Sequence, residues 1–242
     1  MKIAILHLGS LSQLLPASSV VNGIKKYTTS QITWVVGSPG LSYLHTYNSD
    51  IFSVLSLDKF LHSTVVYDLV INLDPFIPME MFNFCTFKEG MGFGFYSEFE
   101  ELRKVFTEEF HLPNMNWFQL YFSLCGMVWR GEGYSIHYFP KTRNHKRQVG
   151  VSVSNANLRN YVLDHLDLKD SKVWYIPYKK NLFKKMDEIN RCQKIITDDL
   201  TTLHSSLYLR KYVYFLETSS PVLKPELFNS GEIYQIPSLV YK

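Results

Sequence analysis

The feature that most constrains the fold is a strand–helix–strand alternation over residues 194–216. Two apolar runs, at 195–196 and 212–216, are separated by a helix-length segment that opens with acidic and hydroxyl side chains. Apolar runs bounded by turn residues and joined through a helix are typical of a βαβ unit in a parallel sheet. The sequence therefore predicts a parallel sheet covered by helices.

The turn between the first run and the helix is the first candidate for a ligand site. In open α/β sheets, ligands bind beyond the carboxyl ends of the strands, and the free N–H groups of a helix N-terminus suit a phosphate. We predict a phosphate at the amides of Thr201 and Thr202, with the Asp199 carboxylate binding ligand hydroxyls. The alternative, which the residues alone favour, is that Asp199 is an ordinary N-cap.

The same alternation recurs along the chain and indicates the α/β class. We predict two domains, residues 1–140 and 148–222, and a C-terminal tail, residues 223–242, that packs back on the first domain. The prediction rests on further apolar runs of strand length at 3–8, 31–37, 53–57, 67–73, 149–153 and 173–176.

Composition excludes several classes of protein. With 46% hydrophobic and 19% charged residues among 242, the chain can bury a core and is not disordered. The net charge of +3 is compatible with an anionic partner without requiring one. The cysteines, at positions 85, 125 and 192, have no CxxC spacing, which indicates free thiols.

Neither a secretion signal nor a membrane span is predicted. The N-terminal apolar run ends at Gly9, and the longest apolar stretch, residues 117–129, is shorter than the ~20 residues of a spanning helix. We therefore expect a cytoplasmic protein. The abundance of aromatic residues, 17 Phe and 16 Tyr, also resembles the products of AT-rich bacteriophage genes.

Four segments resemble the ADP-heptose:lipopolysaccharide heptosyltransferases. MKIAILHLGSLSQLLPAS, QITWVVG and YDLVINL follow the family's amino-terminal strands, and TDDLTTLH partly follows its Asn-Asp-(Ser/Thr)-Gly-x-x-His donor motif. On that register Asp198, Asp199 and His204 take the Asn, Asp and His positions, while Leu200 and Thr201 replace the hydroxyl and glycine residues. The resemblance implies a GT-B fold, two Rossmann-like lobes with parallel sheets facing a central cleft, and nucleotide-sugar-dependent glycosyltransferase activity.

The resemblance also implies donor-binding residues where the predicted strand at 149–153 ends. Family members hold the donor phosphate at this turn, commonly with a serine and a lysine. Here Ser154, Asn155 and Arg159 are the available donors, and the lysine is missing. Together with the helix-start residues named above, they form the predicted donor site.

The position of the family's catalytic base carries the largest departure. The family has an Asp at the end of the first turn, whereas this chain has Gln13, with Ser10 in the same turn. We assign both residues to the acceptor side. Because an amide cannot take a proton from an attacking hydroxyl at neutral pH, either another carboxylate is the base or the protein is not a catalyst of the family type.

Two carboxylates are candidate substitutes for that base. Asp74 follows the predicted strand at 67–73, although it can equally form a turn with Pro75. Glu89 lies in a glycine-rich segment, residues 88–95, where a backbone could approach a ligand closely. The residues favour the alternative for Glu89, a strand packed closely against its neighbour.

The densest basic run, residues 141–147, is the candidate surface for a nucleic acid. Lys141, Arg143, Lys146 and Arg147 could contact a phosphate backbone, although a solvated linker is the favoured interpretation. Enzymes that act on a DNA base extract it from the stack. The basic run and the phage-like composition therefore favour hydroxymethylcytosine in double-stranded phage DNA as the acceptor.

Three functions follow from these observations. The first is inverting transfer of a pentose or hexose, for example arabinose or glucose, from a nucleotide-diphosphate sugar to hydroxymethylcytosine. The alternatives are transfer to a lipopolysaccharide core sugar and a non-catalytic nucleotide-sugar-binding protein. No group of His, Asp and Glu has the spacing of a metal site, so we expect no metal and no cofactor beyond the nucleotide-sugar co-substrate.

Overall fold

A computed structural model describes most of the chain in two compact units. It covers residues 1–37, 48–108, 116–144, 148–165, 172–177, 181–217 and 231–235. The units are Met1–Tyr138 and Phe139–Lys242. Each is described by itself below.

The first unit is built on a five-stranded parallel sheet in the order β3-β2-β1-β4-β5. Its strands are β1 (Lys2–His7), β2 (Gln31–Val36), β3 (Ile51–Ser56), β4 (Val66–Asn72) and β5 (Thr86–Gly92). Its α-helices are α1 (Leu11–Ala17), α2 (Ser19–Tyr27), α3 (Leu57–Leu61), α4 (Glu98–Glu108) and α5 (Trp117–Leu124), and a 3-10 helix spans Met79–Phe84.

The aliphatic run of β1 explains its central place in this sheet. Residues 3–7 are all buried, as expected for a parallel strand that is covered on both faces. Full burial of a side chain such as Phe60 contributes roughly 2–3 kcal/mol to the stability of this core. One buried cluster of the unit comprises Ala4, Leu6, Val35, Phe60, Tyr67, Val70, Ile77 and Phe82.

The second unit is built on another five-stranded parallel sheet, in the order β10-β9-β8-β6-β7. Its strands are β6 (Gln148–Ser152), β7 (Lys172–Tyr175), β8 (Lys194–Thr197), β9 (Tyr212–Glu217) and β10 (Gly231–Gln235). Its helices are α6 (Ala156–His165), α7 (Leu182–Asn190) and α8 (Leu200–Tyr208). The predicted βαβ unit is therefore confirmed as β8–α8–β9, and the predicted α/β class with it.

Part of the predicted C-terminal tail belongs to this second sheet. Gly231–Gln235 pair in parallel with β9, from Val213 to Glu217. Backbone pairing at a sheet edge satisfies more N–H and C=O groups than an irregular tail could. The rest of the predicted tail lies outside the described residues.

Each sheet contains one topological switch point. In the first sheet, the chain leaves β1 toward β2 on one side and later returns with β4 on the other side. In the second sheet, β7 and β8 lie on opposite sides of β6. Ligands of open α/β sheets bind beyond the carboxyl ends of the two strands that flank such a point. The strand pairs to inspect are therefore β1–β4 and β6–β8.

No helix in the described part of the chain is long and apolar enough to cross a bilayer.

Candidate functional site

The corner between β8 and α8 brings the predicted motif residues to a switch point. Asp199 is the N-cap of α8, and its carboxylate accepts hydrogen bonds from the Thr201 N–H at 3.2 Å and the Thr202 N–H at 3.0 Å. The Thr202 hydroxyl donates to the same carboxylate at 2.6 Å. The capping role of Asp199 is thus observed.

This cap bears on the phosphate that the sequence predicts at the amides of Thr201 and Thr202. Both N–H groups already bind Asp199, so they are not free for a phosphate. A phosphate there would also lie against a carboxylate of the same charge. The contacts at the α8 N-terminus therefore favour the capping interpretation of Asp199.

A buried lysine, which the sequence analysis did not single out, completes the corner. The Lys185 ammonium, on α7, lies 2.5 Å from Oδ2 of Asp199, with 8% of the lysine side chain and 38% of the aspartate side chain exposed. Although burial alone would raise it, the pKa of the Asp199 carboxyl is held below its ordinary value by Lys185 and by the Thr202 donors. Asp199 is therefore ionised at neutral pH.

The end of β6 meets the same corner through a second carboxylate. Asp198 accepts a hydrogen bond from the Ser154 hydroxyl at 2.8 Å and from the Ser154 N–H at 3.2 Å. The structure therefore brings Ser154 and Asp199 to one edge of the sheet, as predicted from their places after β6 and β8. Asp198 occupies the position at which the heptosyltransferase motif has a neutral asparagine, and it therefore adds a negative charge to this corner.

The other predicted donor residues have identifiable structural contacts. Asn155 accepts from the N–H groups of Asn157 at 2.8 Å and Leu158 at 3.1 Å, and so caps α6. The Arg159 guanidinium lies 5.3 Å from the centre of the Tyr175 ring, at the carboxyl end of β7. A half-buried cation at this edge is the available charge complement for a phosphate.

His204 lies inside α8 and is 2% exposed. Burial lowers its pKa to about 4, although the nearby Asp199 carboxylate acts in the opposite direction. The imidazole is therefore neutral at pH 7. Its position one helical turn beyond the cap agrees with the register of the donor motif.

Gln13, which replaces the family's aspartate, forms a hydrogen bond within the turn that follows β1. The Oε1 atom of Gln13 accepts the Ser10 N–H at 3.0 Å, so that the side chain satisfies an unpaired donor at the start of α1. The Ser10 hydroxyl lies 2.8 Å from that of Ser12. Both predicted acceptor-side residues therefore lie together after β1, but the observed contacts serve the helix start.

Asp74 lies at the switch point of the first sheet, where β1 and β4 end. Its carboxylate accepts the N–H groups of Leu8 at 2.9 Å and Phe76 at 2.9 Å, and the residue is 3% exposed. Because the carboxylate is buried and bonded to two backbone amides, the geometry favours the turn-forming role over the alternative role as base.

A buried histidine and tyrosine accompany Asp74 and were missed by the sequence analysis. The Nε2 atom of His7 lies 3.1 Å from the Tyr121 hydroxyl. Burial lowers the pKa of His7 to about 4, with Asp74 acting in the opposite direction. The only sequence signal was a histidine inside an otherwise aliphatic strand.

Glu89 is not brought to this site. It lies in the middle of the edge strand β5, opposite Leu69, and is exposed. Two residues of β5 separate it from Gly92, which pairs with Asn72 at the carboxyl edge of the sheet. The glycine-rich segment does allow a close approach, but between neighbouring strands. At Gly92, φ is +89° and a Cβ atom would lie 2.1 Å from the Asn72 carbonyl oxygen.

The basic run, residues 141–147, lies near the start of the second unit, and its described residues are bonded to α7. The Lys141 N–H donates to Asp187 at 2.7 Å, and the Thr142 carbonyl accepts from Asn190 at 2.8 Å. The side chains of Lys141 and Arg143 are exposed. Lys146 and Arg147 lie outside the described residues.

A metal centre is not indicated by the described ranges. They contain no group of three or more His, Cys, Asp or Glu side chains that could hold a metal ion.

Comparison with known proteins gives a likeness of structure and none of sequence. No protein-family model matches the chain, and no curated protein matches it. A family 9 glycosyl transferase from Veillonella parvula has the same fold with a TM-score of 0.69 and 14% identity, over 97% of this chain and 86% of that chain.

Two E. coli heptosyltransferase structures are similar over nearly the whole chain. The heptosyltransferase WaaC with ADP gives a TM-score of 0.64 and 13% identity, over 98% of this chain and 91% of that chain. The ADP-heptose lipopolysaccharide heptosyltransferase II gives a TM-score of 0.67 and 12% identity, over 98% and 91% of the two chains. The predicted heptosyltransferase-like GT-B fold is therefore confirmed.

Proposed function

We propose, from the heptosyltransferase fold of this chain, that it is a nucleotide-sugar-dependent glycosyltransferase that binds its donor on the second unit. The supporting observation is the switch point between β6 and β8. Ser154, Asp198 and Asp199 meet there, at the positions that the resemblance assigns to the donor. A fold alone does not imply a function, so the proposal rests on these residues within the fold.

The Asp199 carboxylate is proposed to bind hydroxyls of the donor sugar. It is ionised, held by a buried lysine, and still 38% exposed. An ionised carboxylate on a rigid helix start is a strong acceptor for hydroxyl donors. The neutral His204 behind it supports the helix and adds no positive charge to the corner.

The diphosphate of the donor is proposed to lie toward the start of α6. The amides at the start of α8 are capped by a carboxylate, which opposes a diphosphate. Ser154 offers a hydroxyl, and Arg159 supplies a cation that can carry the charge of the departing diphosphate. No bound metal is required for this role.

The proposed reaction is a single displacement with inversion. The oxygen of an acceptor hydroxyl forms a bond to the anomeric carbon, and the bond from that carbon to the diphosphate oxygen breaks. The hydroxyl proton passes to a base, and the nucleoside diphosphate leaves with the electron pair. Neither Gln13 nor the enclosed Asp74 has the chemistry and exposure of that base in the described arrangement.

A saccharide is the better-supported acceptor. The similar solved structures include lipopolysaccharide heptosyltransferases, which favours a core sugar over hydroxymethylcytosine. The basic run offered for DNA is bound to α7 through the backbone of Lys141, as expected for a linker. Transfer to phage DNA is therefore not the function that we propose.

Mass spectrometry of reaction products tests this proposal. The protein would be incubated with ADP-heptose, ADP-glucose or UDP-glucose and either a truncated lipopolysaccharide core or hydroxymethylcytosine-containing DNA. We expect a mass gain of one sugar on the saccharide, lost in the Asp199→Asn variant, which keeps a capping oxygen but removes the charge. A gain on DNA alone would contradict the saccharide acceptor, and no gain with any pair would contradict transferase activity.

A non-catalytic nucleotide-sugar-binding protein is the second candidate, and one observation favours it. Gln13 occupies the family's base position and serves as a helix cap. This candidate predicts tight binding of the donor without its hydrolysis or transfer. Calorimetric binding of ADP-heptose together with an unchanged donor after prolonged incubation would support it over the enzyme.

A further inference from the structure

The feature that carries a further inference is the burial of Lys185. The residue lies in the first turns of α7 and is 6% exposed. Lysine is almost never this buried unless its charge is paired. Its partner is the N-cap of a different helix, α8, at a distance of 2.5 Å. The pair therefore joins two helices at the proposed donor corner.

The capping role of Asp199 does not require a buried lysine. The carboxylate of Asp199 is already favoured by the positive end of the α8 dipole and by two backbone N–H groups. Capping aspartates are stable on exposed helices without a buried cation. The lysine is thus an addition to a complete cap, placed on one oxygen of the carboxylate.

The two oxygens of Asp199 are used unequally. Oδ2 accepts from the Lys185 ammonium, the Thr202 N–H and the Thr202 hydroxyl. Among the described residues, Oδ1 accepts from the Thr201 N–H. An ionised carboxylate has about four lone-pair positions, two on each oxygen. Oδ2 is therefore saturated, and Oδ1 keeps capacity for one more donor.

We propose that Lys185 is a positioning residue of the donor site: it fixes Oδ2 of Asp199 and so directs Oδ1 toward a hydroxyl of the donor sugar. The inference rests on the proposed function, because it concerns the same carboxylate. This role differs from that of the lysine that the family has after β6, which holds the donor phosphate. Lys185 comes from α7 and acts on the sugar through Asp199.

The charged groups around Asp199 define what the pair does to its ionisation. Lys185 faces it from α7, His204 faces it from within α8, and Asp198 precedes it and binds Ser154. Of these groups, only Lys185 stabilises the ionised carboxylate at neutral pH. Removing this charge leaves burial, which raises the pKa of the Asp199 carboxyl, opposed by the hydrogen bonds from Thr202.

The test compares Lys185→Met with Lys185→Arg, and uses Lys184→Met as a matched control, since Lys184 is the exposed neighbour on the same helix. Calorimetry would measure binding of ADP and of ADP-heptose to the full chain. We expect Lys185→Met to weaken the binding of ADP-heptose about tenfold or more and the binding of ADP about twofold or less. The affinity lost would then be mainly that contributed by the sugar. The Arg variant should recover most of it, and the Lys184 variant should match the wild type.

A second readout separates positioning from a general loss of structure. Carbon-detected NMR of the Asp199 carboxyl, recorded without donor, should show its pKa raised by about one unit or more in Lys185→Met. If Lys185→Met does not fold, Lys185→Gln replaces it, because glutamine keeps a hydrogen-bond donor without the charge. This variant should also bind ADP-heptose more weakly and raise the pKa of the Asp199 carboxyl.

The outcomes separate this inference from the proposed function. Equal losses for ADP and ADP-heptose, or an unchanged pKa of the Asp199 carboxyl, would overturn the positioning role. A wild-type protein that does not bind ADP-heptose would overturn both. A wild-type protein that binds ADP-heptose with a Lys185-dependent sugar contribution, but transfers nothing, would sustain this inference and contradict the proposed function.

Discussion

Replacing Asp199 with alanine should destabilise the second unit strongly, because the substitution leaves the Lys185 ammonium buried without its partner. Breaking a buried pair from one side costs 3–5 kcal/mol in general, and the 38% exposure of Asp199 favours the lower end, about 3 kcal/mol. Loss of the N-cap adds about 1 kcal/mol. The expected loss in free energy of unfolding is therefore about 4 kcal/mol.

The same reasoning predicts an asymmetric double-mutant cycle. Lys185→Met alone should cost only about 1 kcal/mol, because Asp199 keeps its Thr201 and Thr202 donors. Asp199→Ala combined with Lys185→Met removes the unpaired charge and should recover about 2–3 kcal/mol of the single-mutant loss. Activity of Asp199→Ala would have to be measured under conditions in which the variant is still folded.

Urea unfolding followed by fluorine NMR of 5-fluorotryptophan-labelled protein measures this loss. Of the four tryptophans, Trp174 alone belongs to Phe139–Lys242, so its resonance reports the second unit. Asp164→Ala, at an exposed site on α6, is the control and should change stability by less than about 0.5 kcal/mol. A loss of under about 1 kcal/mol for Asp199→Ala, or a double variant no more stable than it, would refute the buried-pair argument.

Three further predictions follow from the same structure. Gly92→Ala should cost at least about 2 kcal/mol, because φ is +89° and the new Cβ would meet a carbonyl oxygen at 2.1 Å, whereas Gly133→Ala, with nothing within 4 Å, should be neutral in thermal unfolding. Stability should fall as the pH drops from 6.5 toward 4, by up to about 1.4 kcal/mol per pH unit for each of His7 and His204, because their pKa values are lowered to about 4 in the folded state and the unfolded chain therefore binds more protons; equal urea midpoints at pH 7 and pH 5 would contradict this. Gln13→Asp should raise the transfer rate about tenfold or more if the missing base limits the wild type, and an unchanged rate would indicate that the base lies elsewhere.

The fold class could be predicted from the sequence because it depends on local patterns of apolar residues. Apolar runs such as residues 3–8 and 212–216 are too continuous for half-exposed strands, and helix-length segments separate successive runs. Such a pattern leaves a parallel sheet as the consistent arrangement. β10 was missed because its role depends on pairing with β9, and five residues of Gly-Glu-Ile-Tyr-Gln carry little strand signal of their own.

The candidate site was predictable only where chain position alone decides it. Ser154 and Asp199 each follow a strand, so their meeting at one edge follows from parallel pairing. Lys185 gave no signal, because its partner is set by how α7 packs beside α8. For Asp74, the position after β4 was predicted correctly from the sequence. Its hydrogen bonds from the Leu8 and Phe76 amides were not, because they depend on the tertiary structure.

The most direct test of the central claim is a crystal structure of the protein with bound ADP-heptose. The account predicts a sugar hydroxyl within hydrogen-bonding distance of Oδ1 of Asp199, with the diphosphate near Ser154 and Arg159 and away from the α8 amides. A donor bound anywhere else on the chain, or a diphosphate on the Thr201 and Thr202 amides with Asp199 displaced, would contradict it.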